Sequence, residues 1–239
     1  MVKRYFFIWI FFSSYVAVFS QSPATTHYIT EKVFNWGIRA GLNAVVPSYY
    51  TVTYNGESTI NQTMINEVGY SGGLFGRVNL SSFFMQPEAS YFYTPEKLSF
   101  TILQEDALGN YNMTIRTQTQ SVSVAVLLGF NIVKEGPFLF NIFCGPAAYY
   151  NFLTTYEIDK LHLLRTEAAD YKHITNYKLS MVTGISANIS RLYFDFRLSI
   201  GMKSSMLDFS ELQEAPEHLQ GIAVKDNGNL LCFSCGIMF

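Results

Sequence analysis

Residues 192–202 read LYFDFRLSIGM, and this stretch carries the pattern that decides the fold. Large apolar side chains occupy every second position from Leu192 onward, while Asp195, Arg197 and Ser199 lie among the positions between them. Because successive side chains of a β-strand point to opposite faces, this alternation predicts a strand with one apolar face and one polar face.

Seven other segments alternate with the same period of two. Interior glycines such as Gly37, Gly72 and Gly184 argue against helices, since each glycine weakens a helix interior by about 1 kcal/mol. We therefore predict an all-β chain. The eight predicted strands span residues 33–43, 70–79, 83–93, 121–130, 138–148, 177–188, 191–202 and 230–239.

The composition indicates what surrounds these strands. Only 14% of the 239 residues are charged, while 49% are apolar and 16% aromatic; an average soluble domain has about 25% charged residues. The polar faces hold mainly glycine, serine and asparagine, which supply too little charge for a water-facing surface. In a membrane barrel the apolar face meets lipid and the polar face lines the lumen. We predict an eight-stranded antiparallel up-and-down transmembrane β-barrel; the alternative is a secreted soluble barrel that binds a lipophilic ligand inside.

The connections between the predicted strands alternate regularly between long and short. Outer-membrane barrels have short periplasmic turns and longer extracellular loops, so this order places both termini in the periplasm. Within the long connections, residues 49–54 and 111–119 are expected to extend strands beyond the membrane. The long connections are 44–69, 94–120, 149–176 and 203–229, and the short ones are 80–82, 131–137 and 189–190.

Aromatic residues cluster at the ends of the predicted strands. Membrane barrels carry aromatic girdles at both interfaces, which explains such clustering better than strand propensity alone. The predicted girdle residues are Phe34, Trp36, Tyr91, Tyr93, Tyr149, Tyr150 and Tyr177.

The first 20 residues have the order of a secretory signal peptide. Lys3 and Arg4 precede a short apolar stretch, and the small residue Ser20 offers a cleavage site. The stretch is interrupted by serines and falls short of the roughly 20 apolar residues of a spanning helix. We expect a cleaved signal peptide at 1–20, a periplasmic segment at 21–32 and an outer-membrane barrel domain at 33–239, in a Gram-negative outer membrane.

The faces predicted to line the lumen contain a few charged residues of both signs. Eight strands leave an interior just wide enough for side chains to fill, and ion pairs can offset the cost of burying these charges. We interpret the group as a structural network that holds the barrel shape; a path for protons or a small solute is the alternative. Its predicted members are Arg39, Arg77, Glu88, Lys178, Asp195 and Arg197.

The residue types of catalytic and metal sites show no spacing that indicates such a site. Three cysteines cannot form a fully paired disulfide set, and Cys232 and Cys235 point to opposite faces of one predicted strand. The acidic residues at 157–170 and 208–217 match no EF-hand loop, and 208–220 has the pattern of a short helix. We expect no catalytic residue, cofactor or metal. No histidine lies in a predicted strand or at a triad spacing; the four are His27, His162, His173 and His218.

Several segments resemble the PorT-like outer-membrane β-barrel family of Gram-negative bacteria. The matching pieces are WGIRAGLN at 36–43, Gly145-Pro146 in the fifth strand, YFDFR at 193–197 and the terminal Phe239. The resemblance extends over residues 33–239 and concerns the framework more than an activity. It implies insertion by the barrel assembly machinery, which reads a final strand ending in an aromatic residue, and a link to secretion or surface assembly.

The expected function is therefore non-catalytic. The chain would act as a structural or interaction component that binds through its long loops or supports a secretion or assembly complex. Expected partners are outer-membrane lipid, the barrel assembly machinery and cell-envelope proteins; the formal net charge of −2 gives no basic surface for nucleic acid. The competing classes are an outer-membrane enzyme and a small-solute conduit that uses the polar lumen residues.

Overall fold

The computed structural model describes residues 32–46, 50–54, 57–102, 111–135, 137–160, 177–202, 205–208, 222–226 and 228–239. The predicted signal peptide and residues 21–31 lie outside these ranges. The described part of the chain contains no helix that is long and apolar enough to cross a membrane. Its strands are β1 (Phe34–Val46), β2 (Tyr50–Tyr54), β3 (Glu57–Ser58), β4 (Ile60–Asn66), β5 (Gly69–Leu80), β6 (Phe83–Ile102), β7 (Tyr111–Glu135), β8 (Phe138–Lys160), β9 (Tyr177–Ile189), β10 (Leu192–Gly201), β11 (Ser205–Asp208), β12 (Ile222–Asp226) and β13 (Asn229–Met238).

Eight of these strands pair side by side in a closed ring. The order is β6-β5-β1-β13-β10-β9-β8-β7, and β7 pairs again with β6, which closes the barrel. Neighbouring strands are antiparallel throughout. The first and last strands are neighbours, with Gly37 opposite Met238. The fold is the eight-stranded antiparallel barrel that the alternation predicts.

Side chains alternate across the barrel wall with the predicted polarity. Phe196 and Phe233 are 46% and 54% exposed on the outside of the barrel, whereas Asp195 and Arg197 are buried inside it. An apolar exterior around a polar interior is the arrangement of a membrane barrel. The soluble ligand-binding alternative is wrong, because it requires the apolar faces to line an internal cavity.

Aromatic side chains mark both ends of the apolar exterior. At the end with the long connections, the rings of Tyr70 and Tyr93 stack with centroids 4.8 Å apart. At the other end, Trp36 stacks on Phe239 with centroids 4.6 Å apart, and the Phe239 N–H donates to the Trp36 carbonyl at 2.7 Å. One predicted girdle residue is wrong: Tyr149 points into the lumen, because it lies between two outward-facing neighbours on β8.

Three barrel strands continue far beyond the girdle at the end with the long connections. β6, β7 and β8 contain 20, 25 and 23 residues, and β4 pairs with β6 in this region. A second sheet, in the order β11-β12-β2-β3, continues β1 and β13 at the same end. The predicted strand extensions are confirmed by β2 and by the start of β7, whereas much of the predicted loops 94–120 and 149–176 is strand instead.

Two further predictions concern the end of the barrel with the long connections: a short helix and a loop with acidic residues. Asp208 ends β11, and residues 209–220 of the predicted helix lie outside the described residues. The backbone of Glu157 and Asp159 belongs to β8 rather than to a loop, while Glu167 and Asp170 lie outside the described residues.

Short turns join the barrel strands at the opposite end. Ser81 and Ser190 begin two of these turns with left-handed φ angles of 59° and 57°. The third connection is shorter than predicted, since only residues 136–137 lie between β7 and β8. This end corresponds to the periplasmic side of a membrane barrel.

The packing of Gly129 gives a direct test of how tightly the interior is filled. A Cβ atom at Gly129 would lie 2.1 Å from Cζ of Phe84. We expect Gly129→Ala to destabilise the barrel by about 1–3 kcal/mol, because a packed interior has no room for an added methyl group. The control is Gly72→Ala, whose Cβ would meet only the Arg39 carbonyl oxygen, at 3.8 Å. Urea unfolding compares the two variants, and equal stability would contradict tight packing at Phe84.

Candidate functional site

Three strands that are distant in sequence supply four charged side chains to the middle of the lumen. Arg39 comes from β1, Glu88 from β6, and Asp195 and Arg197 from β10. Each occupies an inward position of its strand, which follows directly from the period-two pattern. We call these four side chains the ion-pair cycle.

Small residues beside the two arginines leave room for their long side chains. Gly73 and Gly236 lie opposite Arg39 on the neighbouring strands, and Gly184 lies opposite Arg197. A Cβ atom at Gly236 would lie 2.9 Å from Cα of Arg39. The glycines on the inward face therefore create the space in which the guanidinium groups cross the lumen.

Opposite charges alternate around the ion-pair cycle. Arg39 donates to Glu88 Oε1 at 2.9 Å and lies 3.3 Å from Asp195 Oδ2. Arg197 donates to Glu88 Oε1 at 2.6 Å and binds Asp195 through Nε at 3.0 Å and NH2 at 2.6 Å. The relative exposure of these four side chains is at most 4%.

The alternation explains how four charges are tolerated inside the barrel. Two positive and two negative groups leave the cycle electrically neutral, and each carboxylate accepts hydrogen bonds from both guanidinium groups. Burying a charge is costly unless it is paired and hydrogen-bonded, and the cycle meets both conditions. Since its members lie on β1, β6 and β10, it ties separate parts of the ring together.

Polar neighbours complete the cycle. Ser90 accepts a hydrogen bond from Arg39 at 2.8 Å, and Gln86 Nε2 donates to Glu88 Oε2 at 3.2 Å. These two residues are absent from the predicted set. They lie two positions on either side of Glu88 and therefore share its inward face of β6. That spacing in the sequence could have identified them.

The remaining two predicted members lie on either side of the cycle. Arg77 is fully buried on the periplasmic side, where its Nε donates to Gln86 Oε1 at 2.9 Å and its guanidinium lies 4.1 Å from the ring centroid of Phe84. Lys178 lies at the other end of the lumen, where its Nζ donates to the Gly228 carbonyl. The structure thus brings five of the six predicted residues into one connected group and places Lys178 apart from it.

Apolar side chains fill the lumen on the extracellular side of the cycle. Phe92 and Tyr149 lie with ring centroids 5.5 Å apart, and Val45 and Leu230 belong to the same buried cluster. The Tyr149 hydroxyl donates a hydrogen bond to Ser199 Oγ at 3.1 Å, so this buried hydroxyl has a partner. The interior is therefore occupied by side chains both at the cycle and beyond it.

The cysteines and histidines contribute no cluster to the described interior. Cys232 faces the lumen while Cys235 is exposed on the outside, so the wall separates the two, as predicted. The described residues contain no group of three histidine, cysteine, aspartate or glutamate side chains suited to a metal ion. The histidines at 27, 162, 173 and 218 lie outside the described residues.

Comparison with known proteins gives one family match. A family model described as an outer membrane protein beta-barrel domain matches residues 19–206 of this chain. No curated protein matches this chain.

Several solved structures are similar to the chain at low sequence identity. OprG from Pseudomonas aeruginosa is 12% identical, with 87% of this chain and 97% of that chain covered and a TM-score of 0.48. Ail, the attachment invasion locus protein of Yersinia pestis, is 12% identical, with 87% and 100% covered and a TM-score of 0.35. Neisserial surface protein A is 10% identical, with 87% and 96% covered and a TM-score of 0.39.

Proposed function

The chain belongs to the outer membrane protein beta-barrel domain family, and we propose that it works there as a non-catalytic structural or interaction component. In this proposal the barrel anchors the protein in the Gram-negative outer membrane, and the strands beyond the membrane bind a cell-envelope partner or support a larger complex.

The observation that carries the proposal is the filled interior. The ion-pair cycle crosses the lumen with nearly complete burial, and the cluster around Phe92 and Tyr149 occupies the space beyond it. A filled eight-stranded barrel has no aqueous channel. Because the carboxylates of Glu88 and Asp195 are engaged with arginines, they are poorly placed to act as acid or base on a substrate.

The long strands favour a role in binding on the extracellular side. β6, β7 and β8 form a continuous sheet there with β4 on its edge, so this part is ordered by backbone pairing instead of being a set of simple loops. Arg116 and Glu67 form an ion pair on its surface, with N–O distances of 2.9 Å. A partly charged sheet surface beyond the membrane suits recognition of a protein partner.

The PorT-like resemblance supports a link to secretion or surface assembly. The residues that carry it lie in the barrel framework, including the inward Asp195 and Arg197 and the terminal Phe239. In the proposed pathway, residues 1–20 are removed on export, and the barrel assembly machinery recognises the final strand before the protein enters outer-membrane lipid.

Photo-crosslinking tests where partners bind. A photoreactive residue at Thr63, exposed on β4, is expected to give protein adducts in native membranes. The same residue at Leu128, exposed on the apolar exterior, is expected to give lipid adducts. Protein adducts at Leu128 and none at Thr63 would overturn binding through the extracellular strands.

The competing class is a small-solute conduit or an enzyme that uses the polar lumen. The conduit has one observation in its favour, because several buried polar atoms in the lumen have no hydrogen-bond partner. Planar-bilayer recordings decide between the structural role and the conduit: we expect no discrete conductance steps, and reproducible steps would show that the lumen opens.

A further inference from the structure

The charges buried in the barrel do not balance. Among the described residues, the buried side chains that carry a charge are Arg39, Arg77, Arg197, Glu88 and Asp195. Three positive and two negative charges leave one positive charge in excess. Since the ion-pair cycle is neutral, this excess belongs to Arg77.

The guanidinium of Arg77 is only partly satisfied. Its Nε donates to Gln86, and the rings of Phe84 and Tyr193 lie 4.1 Å and 5.6 Å from its Cζ. Its NH1 and NH2 groups have no hydrogen-bond partner although the side chain is 0% exposed. An arginine buried this completely is ordinarily paired with an anion, because an uncompensated charge in an apolar interior is costly.

A second polar group next to Arg77 is also unsatisfied. The Tyr193 hydroxyl is buried and has no partner that meets hydrogen-bond geometry, although it lies close enough to interact with both Arg77 and Asp195. The NH1 and NH2 groups of Arg77 and the Tyr193 hydroxyl therefore lie near each other with no hydrogen bond made. All three groups can donate, and donors grouped around an unpaired positive charge are the pattern that suits an anion.

The chain's own carboxylates do not fill this role. Glu88 and Asp195 are each shared between the two arginines of the ion-pair cycle. The carboxy-terminal residue Phe239 exchanges backbone hydrogen bonds with Trp36, which keeps its main chain in the barrel wall. A water molecule could accept the free hydrogen bonds but would leave the excess charge in place.

We propose that Arg77 and Tyr193 bind one small monovalent anion, either a halide or a small carboxylate. The anion accepts hydrogen bonds from NH1 and NH2 of Arg77 and from the Tyr193 hydroxyl, and it makes the buried charge of the lumen neutral. It enters from the periplasmic end, because the ion-pair cycle occupies the middle of the lumen on the other side of Arg77. This site does not depend on whether the extracellular strands bind a partner.

The periplasmic part of the lumen contains polar amides beside the apolar side chains of Phe75 and Met238. Asn131 and Asn141 lie opposite each other on β7 and β8, and Asn188 lies opposite Tyr193 on β9. Each is buried and has at least one amide atom without a hydrogen-bond partner. Buried polar atoms without partners usually signal bound water or an ion, so these amides indicate a hydrated approach to Arg77.

Crystals of the full-length mature protein grown in sodium bromide test the site directly. An anomalous peak within hydrogen-bond distance of NH1 and NH2 of Arg77 supports the proposal. The proposal is overturned if this position contains only water both in bromide crystals and in crystals grown in sodium acetate, or if Arg77 pairs with another side chain.

Thermal unfolding in detergent gives an independent measurement. At constant ionic strength, with gluconate as the bulky counterion, we expect the unfolding midpoint to rise as bromide or acetate replaces gluconate. A response to bromide alone identifies a halide, and a response to acetate identifies a carboxylate. A midpoint that is insensitive to both overturns the proposal.

Two variants test whether the effect of anions on unfolding arises at Tyr193 and Arg77. Tyr193→Phe removes one donor and keeps the ring, so the anion dissociation constant is expected to rise several-fold; an unchanged constant removes Tyr193 from the site. Arg77→Gln is expected to abolish the response, whereas Glu67→Gln on the extracellular surface is expected to leave it unchanged. If Arg77→Gln does not fold, the bromide crystal and the wild-type titration still decide the matter.

Discussion

Glu88→Gln is expected to destabilise the barrel by about 3–5 kcal/mol, the usual cost of removing one partner from a buried ion pair. Glu88 Oε1 accepts hydrogen bonds from Arg39 at 2.9 Å and from Arg197 at 2.6 Å, and none of these three side chains is more than 4% exposed. After the substitution, two arginines share the single carboxylate of Asp195, and the excess buried charge doubles. The free energy of unfolding can be measured by urea titration in lipid vesicles, with the fluorescence of Trp36 as the signal.

A matched substitution on the surface shows how much of the stability loss comes from burial of the ion pair and how much from pairing alone. Glu67 also binds an arginine through two short contacts, but the side chains of Arg116 and Glu67 are 45% and 25% exposed. Water screens this pair, so Glu67→Gln is expected to cost about 0–1 kcal/mol. Equal losses for the two variants would show that the ion-pair cycle contributes no more than a surface pair.

A double variant tests whether charge imbalance is the cause of the loss. Glu88→Gln combined with Arg39→Met removes one positive and one negative charge, and it leaves the bidentate pair of Arg197 and Asp195 intact. We expect the double variant to be more stable than Glu88→Gln alone, because replacing a buried ion pair is often tolerated where breaking it is not. A double variant that loses the sum of the two single losses would contradict this explanation.

The strands and their faces could be predicted from sequence because one physical rule governs them. Between the girdles, the outward position must be apolar and the inward position must fit a narrow polar lumen, so segments such as 191–202 show a strict period of two. Beyond the girdle the strands keep one buried face, since Leu98, Phe100 and Ile115 are buried there. Polar pairs such as Ser99 with Thr114 occupy the other face, so these stretches lack the lipid-facing apolar positions that mark the membrane strands.

The charged lumen residues could be predicted as a set but not as pairs. Their inward orientation follows from alternation, whereas their contacts depend on how strands far apart in sequence are staggered around the ring. Arg39 and Asp195 are 156 residues apart and meet only because β1 and β10 both flank β13. Lys178 fits the same inward pattern but lies one residue from the girdle residue Tyr177, too far along the strand to join.

The lumen has three zones in order along the barrel axis. Apolar side chains around Phe92 occupy the extracellular side and the ion-pair cycle occupies the middle. The periplasmic side holds the apolar cluster of Phe75, Tyr193 and Met238 beside the unsatisfied Arg77. Buried polar atoms without a hydrogen-bond partner lie toward both ends, at Asn43 and Ser180 as well as around Arg77. The opposite polarity of the exterior is then the property on which insertion into the membrane depends.

Phe196→Arg tests this exterior polarity and is expected to destabilise the barrel by about 2–4 kcal/mol, the cost of a basic residue at the bilayer midplane. Phe196 lies at the centre of β10, 46% exposed on the outside, opposite Phe233 on one side and Ile185 on the other. An arginine there has no neighbouring carboxylate at its own depth on these strands and has lipid around it. Urea unfolding in vesicles measures the loss.

Ile189→Arg is the matched control for depth. Ile189 is also exposed on the outside, but it immediately precedes the turn at Ser190, where an arginine reaches the interface by extending its side chain. Its cost is expected to be about 0–1 kcal/mol, because the penalty for a charge on a barrel exterior falls steeply toward the interface. A loss at Ile189 as large as that at Phe196 would mean that packing, and not depth in the bilayer, sets the penalty. If instead Phe196→Arg is tolerated without loss, the exterior of β10 faces water and the placement of this barrel across a membrane is refuted.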